Sequence, residues 1–304
     1  MDTMLIVMLG VFGALFGSFA GAQVWRLRAR QLREDKRDYE VRTQAGEKVK
    51  RRDYYDSHEL DALQPLLKSV TDDRSQCLSC GHQLAWYDLV PILSWLSLRG
   101  RCRYCKARIG FSELGIELGL AAVFVLSFMR WPYVINSTIH IAAFSLWLIA
   151  CVVMAILLLY DVRWSLLPFA LNILLIVIAV IFRCLVPLGS EGIGSLVGGI
   201  AILGGLYGLF ALLGWAGVGD SILGVGLALL LGDWQLAFLA LFLANLLGSL
   251  ALIPLQMTRK LHRHMRIPFG PFMIIATIIS MIWGVDLIHA FFGVSTGLFT
   301  TLML

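Results

Sequence analysis

Long apolar runs fill most of the chain after residue 112, and they constrain its fold more than any other feature. A helix of about 20 residues crosses the hydrocarbon core of a bilayer, and most of these runs reach that length. One further run, residues 4–24, precedes the polar part of the chain. We therefore predict eight transmembrane helices, near residues 4–24, 113–130, 136–160, 165–186, 192–214, 221–232, 235–256 and 268–288. The run at 221–232 is short, so we expect its neighbours to shield it.

The composition and the placement of charge agree with a membrane protein. Hydrophobic residues make up 59% of the 304 positions and charged residues 15%, against about 45–50% and about 25% in soluble domains. The net charge is +5, and 18 of the 25 Lys and Arg residues lie between Arg26 and Arg108. Basic loops are retained in the cytoplasm. The charge therefore indicates a membrane orientation rather than binding to nucleic acid.

Threading eight spans from an N-terminus outside the cell places four loops in the cytoplasm, at 26–112, 161–164, 215–220 and 257–267. The basic run 259–266 falls in the last of these loops, as the distribution of charge requires. Arg130 and Arg183 are the exceptions, because they fall outside. We predict an all-α integral membrane protein, a bundle of about eight helices with a small cytosolic zinc-binding module.

Three parts of the chain are expected to have different roles. Residues 1–25 form an N-terminal transmembrane anchor, and residues 26–112 form a cytosolic loop domain. Residues 113–304 form a seven-helix transmembrane catalytic domain. We interpret the first half of the loop domain, to about residue 75, as partly helical and partly flexible.

The first apolar run indicates a retained anchor, because its positive charge follows it instead of preceding it as in a signal peptide. Gly13, Gly17 and Gly21 recur at every fourth position in this run. Small residues at that spacing let a second membrane helix approach closely.

Four cysteines in the loop domain form two Cys-x-x-Cys pairs, Cys77 with Cys80 and Cys102 with Cys105, separated by 21 residues. Two such pairs are typical of a structural tetrahedral zinc site within residues 77–105. Disulfides are not expected in a cytosolic loop. A redox pair or four unrelated thiols are the alternatives. His82 lies beside the pairs and is expected at the surface, since four thiolates already complete the metal site.

Two aspartates stand out among the ionisable residues of the apolar part. Asp161 follows the apolar run 150–160, and Asp220 ends the sequence 217–220, in which Gly217 and Gly219 permit a sharp bend and close approach of a peptide. Both lie at the predicted inner ends of helices, at the same depth. Two close carboxyl groups share one proton and can activate water as an acid–base pair. The alternative is that each aspartate caps the next helix.

Other acidic residues of the apolar part are weaker candidates. Glu113 and Glu117 lie one helical turn apart at the inner start of a helix. They could line an active-site cavity, or they could be placed there because acidic groups are favoured at a helix N-terminus. Asp233 follows Gly232 and is expected to start a helix.

Several motifs occur together and in a fixed order, and each can be found in the printed sequence: Gly17-Ser18-Phe19, the two cysteine pairs with residues 91–105, Asp161 with Leu167-Pro168, Gly217-Val218-Gly219-Asp220, and residues 268–272. In this combination, over essentially the whole chain, they resemble the type IV prepilin peptidases of bacteria. The Gly-x-Gly-Asp sequence is shared with presenilin-like intramembrane proteases.

The resemblance implies an aspartic endopeptidase with eight helices in the bacterial cytoplasmic (inner) membrane. Its partners would be the lipid bilayer and prepilins or pseudopilins with hydrophobic N-terminal helices, whose leader peptides are cut at the cytoplasmic face. It assigns catalysis to Asp161 and Asp220 and zinc binding to the four cysteines. For many members it also implies N-methylation of the new N-terminus from S-adenosylmethionine.

The chain departs from the family pattern at three places. Ala20, Gly21 and Ala22 follow the first motif, where an asparagine is usual. Ile222 stands where a lysine often follows the second aspartate, and Phe169 stands where an acidic residue often follows Leu-Pro. The methyl transfer and the details of the substrate therefore stay open.

Two other functional classes remain as alternatives. An inactive zinc-bearing membrane scaffold or assembly factor would need no carboxylate pair. A transporter would carry charges near the bilayer midplane, often in repeated halves. The chain shows no clear internal repeat, and both aspartates are predicted at a membrane edge, which disfavours transport.

Overall fold

The structure, a computed structural model, describes residues 2–51, 54–67, 74–133, 135–186, 192–257 and 268–292. Within these ranges the regular secondary structure is helical, and two isolated bridges each join a single pair of residues. The all-α fold class is confirmed. The chain divides into two compact units, residues 10–121 and residues 1–9 with 122–304. The predicted boundaries at residues 25 and 112 stay predictions, and the basic run 259–266 lies outside the described residues.

The helices follow one another with short connections in the second half of the chain. In order they are α1 (Asp2–Gln44), α2 (Ser57–Leu63), α3 (Leu93–Ser97), α4 (Phe111–Met129), α5 (Thr138–Trp164), α6 (Phe169–Leu185), α7 (Gly192–Ile200), α8 (Leu206–Leu212), α9 (Val218–Leu231), α10 (Trp234–Met257) and α11 (Gly270–Phe292). A π-helical turn, Ala201–Gly205, joins α7 to α8 without a break.

Six segments of the described ranges are long and apolar enough to cross a membrane. They are Thr3–Gln44, Phe111–Met129, Thr138–Trp164, Gly192–Leu212, Trp234–Ile253 and Gly270–Ala290. The shorter apolar helices α6 and α9 bring the set to eight, close to the predicted positions. With 14 residues, α9 is about 21 Å long. It packs against α6, α7, α8 and α11, so its neighbours shield it as expected.

The centre of the larger unit is α5, which is buried along most of its length. Its residues from Ala150 to Leu157 are all buried. Trp147 is fully buried, and its indole Nε1 donates a hydrogen bond of 2.9 Å to the Ser127 hydroxyl. A buried donor of this kind needs a partner, because an unpaired polar group in an apolar interior is costly.

Arg183 and Arg130, the two exceptions to the charge rule, have structural partners. The Arg183 guanidinium donates hydrogen bonds to the carbonyl oxygens of Leu229 (3.1 Å) and Leu230 (2.8 Å). These carbonyls belong to the last turn of α9, where no further helical N–H is available to pair with them. Arg130 lies 3.5 Å from the Asp286 carboxylate. Arg183 therefore caps a helix, and Arg130 forms an ion pair.

Asp233 begins α10, as the sequence predicts. Its Oδ1 accepts hydrogen bonds from the backbone N–H groups of Gln235 (2.8 Å) and Leu236 (3.1 Å). Its Oδ2 accepts a hydrogen bond of 3.0 Å from the Ser195 hydroxyl. Asp233 is thus a helix N-cap with its carboxylate fully engaged.

The smaller unit, residues 10–121, is built on the polar extension of α1, which continues to Gln44. This extension packs against α2 through a small buried cluster that consists of Ala29, Leu32, Leu60 and Leu63. Beside the cluster, the Arg28 guanidinium donates hydrogen bonds of 3.0 and 2.6 Å to the Glu59 carboxylate. The early part of the loop domain is therefore more helical than its mixed charge suggests.

Two of the three regularly spaced glycines of α1 contact α4. A Cβ atom placed on Gly13 would lie 2.6 Å from Cα of Ala121, and one placed on Gly17 would lie 2.6 Å from Cα of Glu117. These distances leave no room for a side chain, so the two backbones touch as predicted. A Cβ atom on Gly21 would meet nothing within 4 Å.

Candidate active site and metal centre

Asp161 lies in the last turn of α5, only 4% exposed. Its Oδ2 accepts a hydrogen bond of 3.0 Å from the backbone N–H of Gly270, the first residue of α11. The free N–H groups at a helix start favour a carboxylate at this position. A Cβ atom on Gly270 would lie 2.7 Å from the same oxygen. Glycine therefore lets the α11 backbone approach the Asp161 carboxylate.

Asp220 lies in the first turn of α9. Its Oδ2 accepts a hydrogen bond of 2.9 Å from the backbone N–H of Gly217, which precedes the helix. The side chain thus returns to its own helix start, as the capping alternative requires. This bond uses one carboxylate oxygen, and Oδ1 accepts no hydrogen bond from the described residues. Capping therefore leaves one oxygen of Asp220 available for chemistry.

Leu167 packs between the segments that carry the two aspartates. A Cβ atom on Gly219 would lie 3.0 Å from Cβ of Leu167, and one on Gly270 would lie 3.4 Å from its Cδ2. Asn172, one turn into α6, donates a hydrogen bond of 3.3 Å to the carbonyl oxygen of Gly219. The starts of α6, α9 and α11 therefore converge on the end of α5.

This convergence brings the two carboxyl groups close enough to interact electrostatically. Asp161 is buried and Asp220 is half-buried. Like charges this close disfavour full ionisation of the pair, so the two groups share a proton and titrate together. Such a pair offers a general base and a general acid at one place.

The four cysteines lie on two short turns of similar construction. In each turn the first cysteine exchanges backbone hydrogen bonds with residues that follow the second: Cys77 with Gly81 and His82, and Cys102 with Lys106 and Ala107. Gly81 and Lys106 occupy the same place in the two turns, with φ of +69° and +60°. The Cys-x-x-Cys spacing thus produces two matching loops that present their thiols to one another.

The geometry of the thiols fits a metal ion. Their Sγ atoms all lie within 4.8 Å of one another, and Cys77 Sγ is 3.8 Å from Cys105 Sγ. Sulfur atoms in a tetrahedral zinc site with bonds of about 2.3 Å are about 3.8 Å apart. Burial raises the pKa of Cys77, but hydrogen bonds from the backbone N–H groups of Cys80 and Ser79 outweigh it and bring the pKa to about 7. The thiolate, which is the form that binds metal, is thereby favoured.

His82 is exposed and is not needed as a ligand. Its ring lies 3.6 Å from the Tyr104 ring, centroid to centroid. The ring contact accounts for its position beside the cysteines.

Comparisons with known proteins agree with these features. The family described as bacterial peptidase A24 N-terminal domain matches residues 11–131. A prepilin leader peptidase/N-methyltransferase of Aeromonas salmonicida is 31% identical over 280 residues, which cover 90% of this chain and 89% of that protein. The chain belongs to the prepilin leader peptidase/N-methyltransferase family.

Further members of the prepilin leader peptidase/N-methyltransferase family match over a similar length. That of Pseudomonas putida is 31% identical over 298 residues, 94% of this chain and 92% of its own. That of Aeromonas hydrophila is 32% identical over 285 residues, 90% and 89% of the two chains. No solved structure gives a significant match.

Glu113 and Glu117, proposed from the sequence as support residues, belong to the unit of residues 10–121, whereas both aspartates belong to the other unit. Glu117 is 8% exposed, and its Oε2 accepts a hydrogen bond of 2.7 Å from the backbone N–H of Ile92. Glu113 accepts a hydrogen bond of 2.8 Å from the Ser112 hydroxyl. Their role in supporting the aspartates stays a prediction.

Three residues near the aspartates were missed by the sequence reasoning. They are Gly270, Asn172 and Tyr207. Tyr207 is buried in α8 and lies near enough to Asp220 to interact with it electrostatically. The ring of Phe269, next to Gly270, lies 5.6 Å from the Tyr207 ring. The run of small and aromatic residues at 268–272 could have pointed to Gly270, but an isolated Tyr or Asn in an apolar helix carries no such signal.

Proposed function

We propose that this protein is a membrane aspartic endopeptidase that removes the leader peptides of prepilins or pseudopilins, with Asp161 and Asp220 as its catalytic pair. The observation that carries the proposal is the convergence of the two carboxyl groups at the meeting point of four helix ends. The family membership supports the same activity, since relatives bear the name prepilin leader peptidase/N-methyltransferase.

The proposed reaction needs one proton on the pair. One carboxylate removes a proton from a water molecule that attacks the scissile carbonyl carbon, while the other carboxyl group protonates the carbonyl oxygen. The tetrahedral intermediate then collapses, the C–N bond breaks, and the leaving amine takes up a proton. Because the pair titrates as a unit, neither residue is assigned as the sole base. The N–H groups of Gly270 and Gly217 hold one oxygen of each carboxylate in place.

The substrate would be a single helix whose basic leader precedes a hydrophobic segment. Asp161 ends α5 and Asp220 begins α9. With α6 and the continuous α7–α8 segment each crossing once, both aspartates lie on the same side of the membrane. The basic residues in the sequence between α10 and α11 favour the cytoplasm as that side. A leader held in the cytosol would then present its cleavage point at the membrane edge of the inner membrane.

We also infer that the four cysteines bind a structural zinc ion and that the new N-terminus is methylated with S-adenosylmethionine as the donor. Cys77, Cys80, Cys102 and Cys105 would hold the ion, which supplies a cross-link between the two turns. Four sulfur ligands leave no open coordination position for a water or a substrate. The ion would therefore stabilise the loop and take no part in cleavage.

The test is cleavage of a prepilin-type substrate by purified wild type, Asp161→Asn and Asp220→Asn. Asn has nearly the size of Asp but cannot exchange a proton, so we expect each variant to lose at least about 10³-fold in rate. Asp233→Asn is the matched control, because Asn caps a helix about as well as Asp and Asp233 caps α10. It should cleave at the wild-type rate.

Product mass with and without S-adenosylmethionine, read on the same samples, tests the methylation. If both Asn variants cleave as wild type does, the catalytic assignment is wrong. Failure of a well-folded wild type to cut several prepilin-type substrates would favour the scaffold alternative instead.

A further inference from the structure

The unit of residues 10–121 contains a cavity of about 400 Å³ that the peptidase proposal does not use. Its walls come from α1, from the start of α4, and from the segments that carry the cysteines. Gly21, Trp25, Trp95 and Glu117 are among the lining residues. Pockets that bind drug-sized ligands range from about 300 to about 1,000 Å³. The volume thus suits a ligand of nucleoside size.

Gly21 shows that this space lies open in the interior of the unit. Gly21 is buried, yet a Cβ atom placed on it would meet nothing within 4 Å. Gly17, one turn earlier on the same face, would clash with α4 at 2.6 Å. The α1 and α4 backbones therefore touch at Gly17, and the space opens at Gly21.

The aromatic wall of the cavity offers a stacking surface and an unused hydrogen-bond donor. Trp25 and Trp95 both line it. The Trp95 indole Nε1 is buried and has no hydrogen-bond partner among the described residues. Its ring is fixed against Phe111, with centroids 5.1 Å apart. An unpaired buried N–H is unfavourable, so a bound ligand that accepts a hydrogen bond would relieve it. A purine ring offers such an acceptor and a flat face.

Groups of both charge signs line the same cavity, and they are Arg26, Asp88, Arg103, Arg108, Glu113 and Glu117. Arg103 is already paired with Asp88 at 2.7 Å. Glu117 is fixed by the backbone N–H of Ile92, and Ser18 also hydrogen-bonds to it. A ligand with both positive and negative groups would therefore meet groups of opposite sign on these walls.

We propose that this cavity binds S-adenosylmethionine, with the adenine ring against Trp95 and the cationic part toward Glu113 and Glu117. The inference deepens the methylation part of the proposed function and rests on it. In the transfer, the methyl C–S bond breaks as a bond forms to the deprotonated N-terminal amine of the cleaved substrate. The sulfonium becomes the neutral thioether S-adenosylhomocysteine, and the amine releases one proton to solvent.

Direct binding tests the site without reference to cleavage. Full-length protein in detergent is dialysed to equilibrium against radiolabelled S-adenosylmethionine. We expect saturable binding by wild type. Gly21→Leu fills the cavity and should weaken binding by about tenfold or more. Trp95→Phe keeps a ring but removes the N–H donor and should weaken binding about three- to tenfold.

Trp86→Phe is the matched control, because Trp86 is 79% exposed and does not line the cavity. It should bind as wild type does. Thermal unfolding of each variant identifies any that fail to fold. Absence of wild-type binding up to about 1 mM, which corresponds to a binding free energy of only about 4 kcal/mol, would overturn the inference. Unchanged binding by folded Gly21→Leu and Trp95→Phe would also overturn it.

Cleavage of a prepilin-type substrate is measured on the same preparations. Protein that binds S-adenosylmethionine as described but does not cleave supports the cavity assignment and contradicts the peptidase proposal. Protein that cleaves but does not bind contradicts the cavity assignment alone.

Discussion

The two candidate sites of this protein are held in place by different means. Asp161 and Asp220 lie at the ends of packed apolar helices, and backbone N–H groups next to each carboxylate fix one of its oxygens. The four cysteines lie on loops whose regular contacts are short backbone hydrogen bonds within each turn. Helix packing therefore positions the carboxylates, whereas a metal ion would hold the cysteine loops together. A methyl-sized change should damage the first site, and loss of an ion should damage the second.

Removal of the metal should have the largest effect. Structural zinc binding contributes about 10–16 kcal/mol in zinc-finger peptides, so a chelator or a quadruple Cys→Ser change should unfold the loops of residues 75–108. Limited proteolysis should then cut this segment. The helical circular dichroism should fall only slightly, because the apolar helices do not depend on the ion. Metal analysis of wild type should give about one zinc per chain, as four thiolate ligands require.

A metal-free quadruple variant that remains protease-resistant and fully active would contradict the structural role of the cysteines. It would also remove the contrast between the two sites.

Gly270→Ala should damage the aspartate pair without unfolding the protein. Its Cβ atom would lie 2.7 Å from Asp161 Oδ2, so the carboxylate or the start of α11 must move. A displacement of about 1 Å costs about 100-fold in catalysis, and we expect kcat to fall about 10- to 100-fold. Steady-state cleavage kinetics with thermal unfolding would measure both effects.

The control for this change is Gly194→Ala in α7, where a Cβ atom meets nothing within 4 Å. It should leave kcat unchanged. Wild-type kcat in Gly270→Ala would show that the close approach of α11 does not position Asp161.

Most of the helices could be predicted from the sequence, because an apolar run of membrane length is a local signal. The cysteine cluster was equally accessible, since the Cys-x-x-Cys spacing alone builds the turn. The partner of Asp161 was not, because Gly270 lies 109 residues away in the chain. Mixed charge obscured the extension of α1 to Gln44, although its core contacts with α2 depend on only a few apolar residues. Lys106 at φ +60° was also unpredictable, since glycine is the usual residue there.

Gly17→Ala should have a moderate effect on the smaller unit. The added methyl group would lie 2.6 Å from Cα of Glu117 and would force α1 and α4 apart, at a cost of about 1–3 kcal/mol. Gly115→Ala in α4 is the control, because its Cβ atom meets nothing within 4 Å and alanine favours a helix. Thermal unfolding should separate the two variants, and equal midpoints would contradict the close contact.

The smallest expected effect is that of Arg28→Gln. The ion pair with Glu59 is partly exposed, with 13% and 26% of the two side chains accessible. Pairs in such surroundings contribute about 1 kcal/mol or less. Denaturant unfolding at low and high salt would measure the loss, which should shrink as salt increases. A loss well above this range would show that the unit depends on this pair more than on its small core.

The π-helical turn between α7 and α8 has a consequence for insertions and deletions in this part of the chain. It holds one more residue than a regular helical turn at a place where α9 packs, and Ser221 donates a hydrogen bond of 2.8 Å to the Gly204 carbonyl there. Deletion of a single residue within 201–205 could restore a regular α-helix. It would also rotate everything that follows in α8 by about 100°, which would turn Tyr207 away from Asp220. The extra residue therefore sets the rotational phase of the helix beside the second aspartate.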